Sequence, residues 1–564
     1  MESFVFIPIL HLQNNLNHKK MKVTICTSNR INGLMCTILL LIIFGCKNKS
    51  ITTPEIVIKT HGIIPLPKQL DFTGEKITLN QDFTFITNNI YPVASLAAEK
   101  LIENILTTYK ISQTLPVSGN SFQLINDKTI KDDAYQLSVT KNGIQIKSGN
   151  EAGAFWAVQT LKQYLWNSTN GLKQNALTLN GITINDEPKY NYRGFHLDVA
   201  RHFFTKDYIL KIIDWLAYYK FNKFHLHLTD DQGWRIESQK FPLLNSVGSW
   251  RIFDRYDSIC IAKSTSNPDF KIDPRFIQIR NGMSMYGGCY TRQDIAEIVT
   301  YATAHFIEVI PEVDMPGHMS AAIKAYPQLS CTGSSGWSTE FSYPICPCTR
   351  EINDFALQIW DEISEQFPSK FIHIGADEVD KTTWKASTDC SDFMKTNNLI
   401  SANDIQSFFV GNLQKHLEAK GKTVIAWDDV TDGKINSYLK IMYWRDWMPD
   451  APKIAAANGN QLIFTRWDLF YFSSPYSEEN LKKLLEFDVS QLYNSDVTGK
   501  IIGFQGCVWS EEIPSEAQFE AQVFPRLQAL SEVNWSSNRD YYSFTMRMAP
   551  HRSFLKANNV NLKN

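Results

Sequence analysis

No charge of either sign dominates this sequence. Lys and Arg number 56 against 58 Asp and Glu, giving a net charge of −2 and a pI near 6.6. That balance argues against a nucleic-acid partner and against a polybasic membrane surface. No Gly-rich phosphate loop, metal-ligand spacing or Ser-His-Asp order stands out, so the sequence implies no cofactor and no resident metal. No apolar run is long enough to be read with assurance as a membrane span; Ile38–Phe44 is too short. Cysteine is sparse. Beyond Cys46 come Cys260, Cys289, Cys331, Cys346, Cys348, Cys390 and Cys507, an odd set that leaves at least one unpaired or paired elsewhere. Cys346-Pro347-Cys348 has no second close pair and no His cluster beside it, which argues against metal or redox work. A loop disulfide from Cys331 to Cys346 or Cys348 is expected instead.

What is present begins with a leader. Ile38–Phe44 follows Lys22 and Arg30 and ends in Gly45-Cys46, the pattern of a secretory signal. Ile43-Phe44-Gly45-Cys46 resembles a bacterial lipobox, in which Cys46 is lipidated and becomes the mature N-terminus. Met21 opens a more usual signal, so Met1–Lys20 reads as a start-site artefact; the competing reading is an uncleaved signal anchor. The expected location is that of an exported lipoprotein, in the periplasm or at the outer membrane or cell surface, touching membrane only through the anchor. The expected segments are 1–46 leader, 47–60 linker, 61–188 small α/β domain, 189–550 barrel and 551–564 tail. At 564 residues the chain is too long for one ordinary core.

In the small domain, Tyr135–Val139 and Ile144–Ile146 flank Lys141-Asn142-Gly143, a hairpin signal. Glu151–Leu165 places Ala154, Val158, Leu161 and Leu165 on one helical face. Nothing there gathers acids, His or Trp. From Tyr190 the pattern changes: short apolar runs at Phe195–Val199, Phe224–Leu228, Glu308–Pro311, Phe371–Ile374, Val424–Trp427, Ile441–Trp444, Leu462–Thr465 and Ile502–Val508 alternate with helical periods at Lys206–Tyr219, Gln293–Ala304, Asp354–Phe367 and Asp404–Lys420. Thr291 with Asp294 caps the second helix. Eight such units predict an α/β fold, a (β/α)₈ barrel, preceded by the smaller α/β domain.

Barrels of this kind carry chemistry at the C-terminal ends of their strands. The predicted ends hold Asp198 and Arg201; Asp230 and Asp231; Glu312, Asp314 and His318; Asp377 and Glu378; Trp427 and Asp428; Trp444; and Trp509 and Glu511. The central stretch is Phe371–Asp380, FIHIGADEVD, where Gly375 relaxes the backbone before two adjacent carboxylates. If both ionise they repel, so one pKa is expected to rise. Acids, an Arg and Trp around one mouth suit a neutral polyhydroxylated ligand, as does an aromatic content of 12% with 14 Trp. The same acids could suggest a divalent metal, but interleaved Trp and Arg make sugar hydroxyls the better partner.

RGFHLDVARHF (Arg193–Phe203), KFHLHLTDDQGWR (Lys223–Arg235), GGCYTRQDIAEIVTYA (Gly287–Ala302), PEVDMPGH (Pro311–His318), HIGADE (His373–Glu378), AWDD (Ala426–Asp429), WSEE (Trp509–Glu512) and FPRLQALSEVNW (Phe524–Trp535) together resemble family 20 glycoside hydrolases, the β-N-acetylhexosaminidases. The likeness covers about Pro65–Trp535. It implies exo-acting hydrolysis of terminal GlcNAc or GalNAc from a glycan or oligosaccharide by a substrate-assisted retaining mechanism, in which the substrate acetamide oxygen attacks C1. Glu378 is then the general acid and later the base, and Asp377 accepts the acetamide N–H and orients the group. Tyr471 donates to the acetamide oxygen, and Trp427, Trp444 and Trp509 box the sugar. Arg201 and Glu511 bind hydroxyls, while Asp230 and His318 support the acid. Asp231, Glu312 and Asp314 read as structural supports, and Trp156 and Trp215 as core. Two departures stand out. Tyr471-Phe472-Ser473 has Ser where the family usually has Asp, and Trp250–Gly287 and Ser473–Lys500 are long polar segments expected to shape leaving-group subsites. A disaccharide-releasing relative (lacto-N-biosidase), an inactive lipid-anchored sugar-binding protein and a two-carboxylate glycosidase are the rival readings.

Overall fold

Alternating apolar positions in the small domain pair as the hairpin signal requires. Tyr135–Thr140 runs antiparallel to Gly143–Ser148 with Thr140 opposite Gly143. Gly143 has φ +116°, and a Cβ there would lie 2.1 Å from the Ser121 carbonyl oxygen, so the turn demands Gly. These strands sit in a six-stranded mixed sheet, ordered Gln69–Leu79, Leu177–Asp186, Tyr135–Thr140, Gly143–Ser148, Ser121–Asn126, Thr84–Ile86. Helices Pro92–Thr108 and Glu151–Thr169 accompany it. Trp156, on the second helix, is buried, as is Trp215 further along. The computed structural model describes residues 61–79, 84–86, 90–108, 121–169, 177–333 and 342–562. The leader, Cys46 and the 47–60 linker lie outside them, and among the described residues no helix is long and apolar enough to cross a membrane.

All eight predicted runs close into a parallel barrel: Tyr192–Asp198, Lys223–His227, Glu308–Glu312, Phe371–His373, Thr423–Trp427, Lys440–Tyr443, Gln461–Phe464 and Ile501–Val508, the eighth pairing with the first. Their near-continuous apolar character follows from burial on both faces. Tyr192, Ile310, Ile425, Met442 and Ile463 fill the interior as a core of their own, and the larger core lies between strands and helices. Helices Lys206–Tyr218, Arg292–Thr303, Arg350–Gln366 and Ala402–Ala419 follow the first four strands. Thr291 and Asp294 form the expected capping box. The fifth strand passes to the sixth through a short 3₁₀ turn, Asp428–Asp432, instead of a helix.

The small domain docks on the barrel through buried charge. Lys220 Nζ donates to Asp186 Oδ2 (3.0 Å) and to the Tyr135 hydroxyl (2.8 Å), and lies 4.2 Å from the centre of the Trp535 ring. Trp535 Nε1 donates to the other Asp186 oxygen at 2.9 Å. The chain end differs from expectation. Residue 551 does not open a tail but lies inside the helix Tyr541–Ala557, because His551 is buried on the Gly62 carbonyl and Arg547 on Glu532 and the Ile63 carbonyl.

Candidate active site

The fourth barrel strand stops at His373, and the chain then turns through unusual backbone. Gly375, Ala376 and Glu378 have φ of +69°, +72° and +46°. Left-handed residues other than Gly persist only where their surroundings hold them, at roughly 1–3 kcal/mol each. Here the Ala376 N–H donates to Asp314 Oδ1 (3.0 Å), Gln406 Nε2 donates to the Ala376 carbonyl (2.9 Å), and the Glu378 N–H donates to Asp429 Oδ1 (3.2 Å). A Cβ on Gly375 would lie 1.8 Å from Asp314 Oδ1, so Gly is required. The turn separates the two acids. Asp377 is buried, whereas the Glu378 side chain stays about one third exposed.

On one flank, acids meet cations. Arg201 reaches Asp198 (3.0 Å), Asp230 (2.8 Å) and Glu511 (3.6 Å), and its Nε donates to Gln232. Asp230 also meets His227 Nε2 at 2.8 Å and His318 Nδ1 at 3.2 Å. Burial raises the Asp230 pKa, but Arg201 and His318 outweigh it and hold the carboxyl well below its usual range. Burial likewise opposes charge on His318, yet Asp230, Asp231 and Glu378 raise its pKa well above normal. The chain itself therefore neutralises Asp230. His318, with φ +53°, extends Nε2 to within 3.5 Å of Glu378 Oε2 and 3.7 Å of Asp377 Oδ2.

On the other flank, acid meets acid. Asp314 Oδ2 and Asp377 Oδ1 are buried without a hydrogen-bond donor, and the two side chains contact one another beside His318. Burial first, then Asp314, pushes the Asp377 carboxyl well above the carboxylate range; burial likewise raises Asp314. Two buried carboxyls in contact do not readily ionise together. The sequence reading expected one acid of the adjacent pair Asp377 and Glu378 to rise through their mutual repulsion; Asp377 does rise, but after burial the acid named as its cause is Asp314.

Below the site, Glu312 is fully enclosed. Its Oε2 lies 2.5 Å from His227 Nδ1 and 3.1 Å from His225 Nε2, while Oε1 meets His373 Nδ1 (2.9 Å) and accepts from Trp427 Nε1 (2.8 Å). Burial alone would lower the His227 pKa, but Glu312 and Asp230 lift it to about 10. The aromatic residues stand above this layer. Tyr471 lies parallel to Trp444 at 6.2 Å and is 5.9 Å from Trp509, whose ring carries the Arg201 guanidinium at 5.2 Å. Burial keeps the Tyr471 phenol protonated, hence a donor.

The fold thus brings Arg201, Asp230, His318, Asp377, Glu378, Trp444, Tyr471, Trp509 and Glu511 around one barrel mouth. Trp427 belongs to the same cluster but is wholly buried, 5.8 Å from Trp509, so it acts as floor beneath the box and not as a wall. Asp230 is also almost fully covered, its oxygens taken by protein partners, so its part is to hold Arg201 and His318. Asp231 is structural as expected: it accepts from the Ser320 and Ser342 N–H groups. Sequence reasoning passed over Asp429, which holds the Glu378 N–H and accepts from Trp444 Nε1 at 2.8 Å. The AWDD motif contained the signal, but attention went to its first acid. Asp428 instead anchors Arg445 (2.8 Å) and the Trp444 N–H (2.8 Å), and burial followed by Asp429 pushes it up to about 7. Asp314 is a support as expected: it accepts from the Ala376 N–H and touches Asp377.

The departures resolve unequally. Ser473 Oγ accepts from the Trp509 N–H at 3.4 Å, and Tyr471 bridges Cys507, which fixes the register of this stretch. Much of Ser473–Lys500 is not a mouth loop. Glu478–Glu486 is a helix whose Leu481, Leu484 and Leu485 are buried, and it packs on Arg526–Trp535. Trp250–Gly287 holds a three-stranded sheet and the helix Arg255–Ser264, and pairs Lys263 with Glu512 beside Glu511. Cys331 pairs with Cys346, and Cys348 with Cys390; Cys260, Cys289 and Cys507 are free.

Comparison with known proteins agrees with this geometry. The catalytic domain of glycosyl hydrolase family 20 matches residues 190–538, and domain 2 of the same family matches 60–187. A β-hexosaminidase of Porphyromonas gingivalis is 31% identical over 541 residues, covering 91% of this chain but 66% of its own length. The chain thus spans about two thirds of that relative. A β-N-acetylhexosaminidase of Cellulomonas fimi is 29% identical, covering 77% of this chain and 80% of its own. Among solved structures, an exo β-N-acetylglucosaminidase of Vibrio harveyi in complex with N-acetylglucosamine superimposes with a TM-score of 0.74 at 26% identity, covering 90% of this chain and 78% of that one. An N-acetyl-β-hexosaminidase of Streptomyces plicatus gives 0.71 at 26%, covering 90% and 97%. With both of its domains matched in order and the acids of the fourth strand gathered at the barrel mouth, this chain belongs to glycosyl hydrolase family 20.

Proposed function

We propose that this chain is an exo-acting β-N-acetylhexosaminidase, releasing terminal GlcNAc or GalNAc from a glycan with retention of configuration and with the substrate acetamide as nucleophile. The observation that carries the mechanism is the burial of Asp377 against Asp314. A two-carboxylate glycosidase needs a free, ionised carboxylate facing C1. Asp377, the carboxylate beside Glu378, is buried in contact with a second acid, and both burial and that neighbour oppose its ionisation, which suits an orienting hydrogen-bond partner and not an attacking group. Its role is to accept the acetamide N–H and to stabilise the charge that grows on the group. Tyr471 donates to the acetamide oxygen, and Trp444 and Trp509 enclose the methyl group. Glu378, the exposed partner, protonates the glycosidic oxygen and then activates water. Arg201 and Glu511 take sugar hydroxyls, with Asp230 and His318 fixing Arg201 and Glu378.

The test is hydrolysis of paired aryl β-glycosides, one of GlcNAc and one of glucose, by the detergent-solubilised full chain. Cleavage of the GlcNAc compound alone, blocked by a GlcNAc-thiazoline, is expected. Cleavage of both would require an enzymic nucleophile and overturn the mechanism; cleavage of neither would overturn the activity.

The leader supports export and a lipid on Cys46. A Cys46→Ser chain should then leave the membrane fraction, and unchanged fractionation would remove the anchor.

A further inference from the structure

Beyond the sugar pocket, two tryptophans stand half in water. Trp447 is 55% exposed and Trp467 is 51% exposed. They come from the loops after the sixth and seventh barrel strands, on the catalytic face. Single exposed apolar residues need no explanation. These two form a continuous series with the site: Trp447 meets Trp444 edge to face at 5.0 Å and Trp467 at 6.4 Å. One backbone atom pins both loops, since the Trp444 carbonyl accepts the Asp446 N–H at 3.0 Å and the Trp467 N–H at 2.9 Å. Trp444 in turn shares Asp429 with the Glu378 backbone. Arg466 forks onto the partly exposed Asp468 at the edge of the surface (3.0 and 2.8 Å), and beneath it the buried Asp446 Oδ1 has no hydrogen-bond partner among the described residues.

We propose that Trp447 and Trp467 form a rigid stacking platform for the leaving portion of the substrate, and that this portion is a β-linked oligosaccharide. The inference rests on the hexosaminidase reading above and adds the leaving-group class to it. Glu378 must lie between the sugar held in the pocket and the group that departs. Trp447 and Trp467 are exposed rings that adjoin Trp444, whose indole N–H and the Glu378 backbone share Asp429. A pyranose with equatorial substituents offers a flat C–H face to an indole and hydroxyls to carboxylates at its edge. The ring order Trp444, Trp447, Trp467 runs from a buried ring to two exposed ones, so successive sugars would follow it outward.

The experiment measures kcat/KM for the full chain and for Trp447→Ala, Trp467→Ala and Trp447→Phe. One substrate is a β-linked GlcNAc trisaccharide; the other is GlcNAc β-fluoride, whose leaving ion cannot stack. Each alanine variant should lose about tenfold on the trisaccharide, the effect of removing one apolar ring contact, and stay within about twofold on the fluoride. Trp447→Phe should recover most of the loss. Equal losses on both substrates would mean a distorted pocket and overturn the platform, as would no loss on either. A wild-type chain inactive on both would overturn the hexosaminidase reading itself, an outcome separate from either result.

Discussion

The two flanks of the barrel mouth bury acids to the same depth and leave them in opposite states. Asp198 and Asp230 are as enclosed as Asp314, yet Arg201, His227 and His318 hold the first two ionised while Asp314 and Asp377 are driven toward the protonated form. Burial raises every one of these carboxyls; on the first flank Arg201 and the histidines outweigh it, whereas at Asp314 and Asp377 His318 does not and neighbouring acids add to it. His318 touches both sets, with Nδ1 toward Asp230 and Asp231 and Nε2 toward Asp377 and Glu378. The ionised flank can grip hydroxyls and keep His318 charged. The acid-paired flank, where ionisation is opposed, is the one the proposed mechanism assigns to the acetamide.

The largest test of this division lies where the flanks join. Glu378→Gln should cost about 10²–10⁴-fold in kcat/KM on unactivated glycans, and far less on activated aryl glycosides that need little protonation. Steady-state kinetics on both substrates decide it, and equal losses would remove Glu378 as the acid. Next is Arg201→Ala, which strands Asp198 and Asp230 in the interior. Denaturant melts should show about 3–5 kcal/mol of destabilisation, the cost of an uncompensated buried charge.

The opposite flank should respond more mildly. Asp314→Ala frees the Ala376 N–H and leaves Asp377 without its acidic neighbour, and should lower kcat by about tenfold with little change in KM. Asp314→Asn keeps an acceptor for Ala376 and offers Asp377 an N–H, so it should retain more activity than Asp314→Ala. If both variants lose KM and not kcat, Asp314 serves sugar binding instead.

The smallest effect is in stability against pH. Asp314 and Asp377 are raised above their ordinary 3.8. Their contribution is therefore full below that value and declines as pH climbs through the raised range. Asp314→Asn removes one of the two, so its stability relative to wild type should improve by on the order of 1 kcal/mol as pH rises above about 4. A pH-independent difference would show that the pair is not raised.

Periodicity located all eight barrel strands because parallel strands buried on both faces leave apolar runs that need no context to be seen. It also found the Thr291 cap and the hairpin at Gly143, both local devices. It missed the helix Glu478–Glu486, whose Leu481, Leu484 and Leu485 follow helical spacing inside a segment dominated by polar residues. Asp429 escaped for another reason. It is ordinary in its own motif and acquires its role only by touching the Asp377–Glu378 turn from a different strand.

By itself the sequence determined which residues stand at the strand ends, since a strand's length and its exit residue are local properties of the chain. The family motifs likewise named Asp377, Glu378 and Tyr471. Only the tertiary structure decided which acid faces Arg201 and which faces another acid, that Trp427 is floor while Trp444 and Trp509 are walls, and that Trp447 and Trp467 continue the aromatic surface outward. Proton state and exposure depend on neighbours brought together from strands far apart in the chain, and electrostatic interactions fall off with distance in space, not along the sequence.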